Sequence, residues 1–201
     1  MLKYIKKSLA LSAVVKTKMA TDETQRLEWL KERLKSRFGA PFGVYMTGIP
    51  LAISTILSIF SYAMPQASVW MLLFRWLELP EYKVLMGLFL AAVVYCVVII
   101  STMLLTARGS LVGFKLHLAV ITLTGIIAIF YFISAWFSLL SGSVNNYTPQ
   151  ITSVLGLVFF ILNIMWMNSP VFFRSIALTL HNRVWRKQLK TEAQHIIGGK
   201  G

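Results

Sequence analysis

Four long apolar runs, Gly43–Met64, Val84–Thr106, Leu116–Ser141 and Ile151–Phe173, contain no Asp, Glu, Lys or Arg. Each exceeds the roughly 20 helical residues that cross a bilayer. Within hydrocarbon a backbone N–H finds no water, so a crossing segment must satisfy its hydrogen bonds internally, which makes these runs helices. The alternative, a buried soluble bundle, requires a polar face on each helix, and these runs have none. The rest of the composition agrees: 57% of residues are hydrophobic and 13% charged, against about 45–50% and 25% in soluble domains. The expected fold is all-α, an integral membrane four-helix bundle (residues 42–173) flanked by a basic amphipathic N-terminal segment (1–41) and a basic C-terminal helix (174–201).

The charge is +13, from 20 Lys+Arg and 7 Asp+Glu, and its distribution orients the bundle. Ten basic residues precede the first run, six follow the last, and Arg108 and Lys115 lie between the second and third. Only Arg75 and Lys83 fall on the opposite side, offset by Glu78 and Glu81. Basic residues concentrate on the cytoplasmic side, so eighteen against two places both termini and the Arg108 connection there. The expected location is a bacterial inner (cytoplasmic) membrane. The single cysteine, Cys96, excludes an intrachain disulfide and a multi-cysteine zinc site. Lys3, Lys6 and Lys7 followed by Leu9–Val15 resemble a signal sequence, but the stretch ends in Lys16-Thr17-Lys18 without a small-x-small site. It reads as an uncleaved basic segment lying on the inner leaflet.

Outside the spans, Thr21–Phe38 reads as a helix capped by Thr21 or Asp22. Leu27, Leu30, Leu34 and Phe38 recur at three- and four-residue steps and form one stripe. Glu28–Lys31 and Glu32–Lys35 are i,i+3 pairs beside it. In the C-terminal helix Leu178, Trp185 and Leu189 share a face. These two stripes, rimmed by Arg33, Arg37, Arg183 and Arg186, form an expected docking platform for a soluble partner with an acidic surface. On the other side of the membrane, Trp70, Phe74 and Trp76 belong to a short interfacial helix bounded by Pro65 and Pro80, an anchor or outward contact surface.

Catalytic, cofactor and metal sites are not expected. Membrane chemistry needs ionisable groups at depth, and the spans offer only His117, which reads as lying at the interface. His117, His181 and His195 have no ligand spacing between them. No P-loop, nucleophile elbow or dinucleotide fingerprint occurs. Direct nucleic-acid binding is not expected, since the topology already accounts for the positive charge.

Helix packing is expected at small-xxx-small pairs, Gly48/Ala52 and Gly87/Ala91 among them, and at Asn163 and Asn168, whose amides seek interhelical partners. An amide left unsatisfied by a lone subunit, together with these small-residue faces, gives an expected homo-oligomer.

The expected function is a non-enzymatic membrane anchor or sensor subunit of a larger complex, of the kind found in phage defence. The alternatives are an oligomeric channel with a hydrophobic gate, or a bacteriocin-immunity or conjugation component.

Overall fold

The computed structural model describes residues 2–19, 24–38, 48–80, 83–140 and 147–198. Among these residues it has seven helices and no strand: α1 (Lys3–Lys18), α2 (Thr24–Phe38), α3 (Ile49–Trp76), α4 (Val84–Ala107), α5 (Leu111–Leu140), α6 (Thr148–Met167) and α7 (Pro170–Gly198). Helices α3 to α6 are long and apolar enough to cross a membrane. The described residues are thus all-α, and their four apolar helices are compatible with a multi-pass membrane protein. The expected caps Thr21 and Asp22 and the break at Gly39-Ala40-Pro41 lie outside the described residues.

Three boundaries differ from the sequence reading. Helix α3 does not stop at Pro65 but carries it inside and continues to Trp76, so no separate Trp70–Trp76 helix exists. At 28 residues and 1.5 Å per residue it is about 42 Å long, more than the ~30 Å of hydrocarbon. Proline is tolerated within such helices when neighbours re-satisfy the freed backbone. Here α6 lies close by, with the Ser61 hydroxyl donating to the Gly156 carbonyl at 3.0 Å. Helix α5 starts at Leu111, ahead of the expected span start at Leu116. The fourth run is split: α6 ends at Met167 and α7 begins at Pro170. Ser169 caps the new helix by accepting the Phe172 N–H at 3.2 Å, and a proline at the first helical position needs no N–H partner. Serine followed by proline is thus a helix start signal here.

The contacts divide the chain into two compact units. One comprises residues 1–52, 102–116 and 166–201, the other residues 53–101 and 117–165.

In the first unit α7 packs against both α1 and α2, and α1 touches α2. Its buried side chains are mostly apolar: Ile5 and Val15 on α1, Leu27, Leu30 and Leu34 on α2, and Phe172, Ile176, Leu180 and Val184 on α7. The α4–α5 turn belongs to the same unit. Gly109, at φ 76°, donates its N–H to the Thr106 carbonyl, and Ser110 donates to Leu105. This glycine-centred helix end closes the last turn of α4.

The second unit inverts the pattern. Its buried residues include Ser54, Thr55, Ser58, Ser61, Gln66, His117, Thr124, Ser153 and Asn163, whereas Phe89, Phe130, Phe137 and Leu140 are largely exposed.

Candidate functional site

The first unit, called the tail unit because it holds α1, α2 and α7, contains the two stripes of the expected docking platform, and their side chains are distributed differently from that expectation. Leu27, Leu30 and Leu34 are at most 3% exposed. The α2 stripe is therefore consumed inside the chain and does not offer itself to a partner. Side chains of Arg37 and Phe38 lie outside the described residues. On α7 the buried face follows the four-residue steps of Phe172, Ile176, Leu180 and Val184, not Leu178, Trp185 and Leu189. Leu178 is half-buried, while Trp185 is 49% and Leu189 46% exposed.

The expected arginine rim is also partly engaged. Arg183 Nη1 donates to the Gly109 carbonyl at 2.7 Å, and Arg186 Nη2 reaches the Arg108 carbonyl at 3.4 Å. Both carbonyls follow the C-terminus of α4, where the helix dipole and unpaired carbonyls attract cations. A Cβ at Gly109 would meet the Thr179 carbonyl at 3.0 Å and Arg183 Cβ at 3.1 Å, so glycine is required there by both conformation and space. Arg33 remains exposed and stacks over Trp29 with its guanidinium carbon 5.0 Å from the ring centroid.

Polar bonds tie the tails together. Asn168 lies between α6 and α7 rather than within a span. Its Oδ1 accepts the Tyr4 N–H at 2.9 Å, satisfying an N–H in the first turn of α1. Lys31 Nζ reaches from α2 to α7 and donates to Gln188 Oε1 at 3.3 Å, and Lys187 Nζ donates to the Met19 carbonyl. Glu32 and Lys35 approach as the sequence suggests, at 4.0 Å. His181 is half-buried on α7, and burial pushes its imidazole below the ordinary value of 6.5. A hydrogen bond to Asn182 acts against this shift, as does Glu32, while the Lys31 and Lys35 cations add to it.

The second unit contains a polar ladder absent from the sequence reading. Ser54 Oγ donates to Asn163 Oδ1 at 2.8 Å, and Asn163 Nδ2 donates to Ser58 Oγ at 2.8 Å. His117 Nε2 lies 3.5 Å from Ser54 Oγ, and the residue is fully buried among the helices. Tyr95 Oη donates to the Ser58 carbonyl at 3.3 Å and lies 2.9 Å from Thr124 Oγ1. Four helices thus share one hydrogen-bonded network. The signal is present in part in the sequence: Ser54, Ser58 and Ser61 stand at i, i+4 and i+7, the spacing of one helical face.

Because Asn163 and Asn168 both bond within the chain, the unsatisfied amide no longer argues for an oligomer. Of the expected packing glycines, Gly48 has nothing within 4 Å of where a Cβ would stand, whereas a Cβ at Gly87 would meet the Trp70 ring at 2.9 Å. Trp70 donates to Gln66 Oε1 at 3.0 Å and stands edge-on to Phe74. Phe74 is 8% exposed and Trp76 79%. Of the three expected outward anchors, only Trp76 remains fully presented. A tighter approach is at Gly113, where a Cβ would meet the Leu105 backbone carbon at 2.8 Å and the Thr106 nitrogen at 2.9 Å.

Among the described residues no group of three His, Cys, Asp or Glu is placed to hold a metal. Comparison with protein-family models, curated proteins and solved structures finds no match to this chain.

Proposed function

We propose that the protein is a non-catalytic anchor subunit of a bacterial cytoplasmic membrane, with both tails inside, and that α7 holds a soluble partner with an acidic surface. The observation that carries this reading is the outer face of α7. After the tail unit has buried its own core, Trp185 and Leu189 remain about half exposed, next to exposed Arg186 and Lys190. Exposed aromatic and aliphatic anchors flanked by cations are the composition of a recognition surface. Participation in phage defence, bacteriocin immunity or conjugation is a narrower form of the same proposal.

The test is recovery of bound protein from the intact chain in mild detergent, compared with Trp185→Ala/Leu189→Ala. Tenfold weaker retention of one acidic protein by the variant, with normal membrane insertion, is the expected result. Equal retention removes α7 as the docking face. Reporters after Gly201 and at Arg108 should read cytoplasmic, and one at Asn145 external.

A channel is the second reading, favoured by the polar ladder through Ser54, Asn163, Ser58 and His117. Conductance in liposomes that disappears in Asn163→Leu would establish it over the anchor.

A further inference from the structure

Lys3, Lys6 and Lys7 stand far from the fourth apolar run in sequence, and the tail unit brings them to its end. The Tyr4 N–H donates to Asn168 Oδ1 at 2.9 Å across 164 positions of chain, and Asn168 is the first residue after candidate span α6 (Thr148–Met167). The Tyr4 ring also lies 6.2 Å from that of Phe173, the residue before Arg174. The first turn of α1 is thereby fixed beside the first turn of α7, within a few residues of the point where α6 stops. Met19, just past the other end of α1, is reached by Lys187, so α1 runs alongside α7 away from that point.

Helix α1 turns Ile5, Ser8, Ser12 and Val15 into the tail unit. Lys3, Lys6 and Lys7 fall on the opposite side of the helix and are exposed, as is Arg174. Lys3 and Lys7 Nζ lie 5.9 and 5.7 Å from the centroid of the same Tyr4 ring, which keeps both at the Asn168 end. Neither helix offsets this charge: residues 1–21 contain no Asp or Glu, and the first acid on α7, Glu192, stands about five turns beyond Arg174. The apolar side of α1 is used inside the chain, and what its first turns present outward is charge.

We infer that Lys3, Lys6, Lys7 and Arg174 form a juxtamembrane patch that holds the phosphates of several anionic lipids and fixes the tail unit to the bilayer surface. Four cations immediately beyond the end of a span are the pattern that an anionic leaflet attracts. They need not converge on one group, because a leaflet presents a field of phosphates. Position favours the bilayer over a soluble acidic protein, since the patch begins where a span ends. The inference rests on α6 crossing the membrane and not on docking at α7.

The test footprints the full chain in nanodiscs by amine acetylation, read at each lysine by mass spectrometry. Discs of dioleoyl phosphatidylcholine alone are compared with discs containing one-quarter dioleoyl phosphatidylglycerol. Phosphatidylglycerol should slow Lys3, Lys6 and Lys7 by about fivefold or more, while Lys16 and Lys190 change by less than about twofold. Raised salt should remove most of the slowing, since exposed charges are screened. In Lys3→Gln/Lys6→Gln the slowing at Lys7 should fall by about half or more, and in Lys3→Arg/Lys6→Arg it should remain, because the patch acts through charge. Equal rates in the two kinds of disc leave the patch to a soluble acidic partner and overturn the inference. So does equal slowing at Lys16 and Lys190, the same slowing by inorganic phosphate in phosphatidylcholine discs, or loss of slowing in the arginine variant.

Discussion

The two units of this chain solve opposite problems with opposite cores. The tail unit buries Leu27, Leu30, Leu34, Phe172 and Leu180, and exposes lysine and arginine. The other buries Ser54, Ser58, His117 and Asn163, and exposes phenylalanine and leucine. In water, removing apolar surface drives association. In lipid the surroundings are as apolar as leucine, so helices associate through close packing and hydrogen bonds. One sequence therefore carries two rules of burial, and the same substitution chemistry should have different effects in the two regions.

The largest difference should come from truncating a large apolar side chain in each region. Leu34→Ala removes a side chain that is 1% exposed and should cost about 2–5 kcal/mol. Faster hydrogen exchange and proteolysis in α1, α2 and α7, with the spans still inserted, is the expected readout. Phe130→Ala removes a larger group that is 75% exposed and should leave stability in lipid nearly unchanged. A loss from Phe130→Ala as large as that from Leu34→Ala breaks the comparison.

Asn163→Leu follows. It leaves Ser54 and Ser58 without their shared amide, and interhelical hydrogen bonds in membranes are worth about 0.6–2 kcal/mol. Thermal unfolding in detergent should move down modestly, with hydrogen exchange in the tails unaffected. A neutral result would mean that close packing such as that of Gly87 against Trp70 holds that unit, not the ladder.

A pH effect should be confined to the tail unit. Burial lowers the His181 pKa, so the folded state holds this imidazole neutral while the unfolded chain protonates it near 6.5. Its contribution is fully present above that value and is lost as pH falls through the lower folded-state pKa. Protection of the α7 amides, taken relative to their intrinsic exchange rate at each pH, should fall below pH 6.5, and His181→Phe should flatten the dependence. An unchanged pH profile in that variant assigns the effect to another group.

What is legible in the sequence follows the same division. The four candidate spans show as uncharged runs because lipid excludes charge. The Leu27–Leu30–Leu34 stripe shows as periodicity, but periodicity does not say whether the covering surface belongs to the same chain. The buried face of α7 is hidden because Phe172 lies in the fourth uncharged run, which masks the register Phe172, Ile176, Leu180 and Val184. His117 is hidden for a similar reason: the last charge, Lys115, looks like the edge of a span, whereas α5 begins at Leu111. Pro65 has the local habit of a helix breaker, yet α3 carries it inside the helix.

The smallest prediction compares one turn in both regions. Helices α3 and α4 end alike. Glu78 donates to the Arg75 carbonyl and Leu79 to Phe74, as Gly109 donates to Thr106 and Ser110 to Leu105. The residue at the turn has positive φ in each, 52° at Glu78 and 76° at Gly109. A side chain in this left-handed conformation costs about 1–2 kcal/mol, while glycine adds unfolded-state entropy of roughly 0.5–1 kcal/mol. Glu78→Gly should therefore stabilise the protein slightly, by about 1 kcal/mol or less, seen as a small rise in the unfolding midpoint in detergent. Gly109→Ala should destabilise by more than that gain, because its Cβ also meets the Thr179 carbonyl and Arg183. If the two substitutions give equal and opposite shifts, conformation alone accounts for both turns and the contacts around Gly109 contribute nothing.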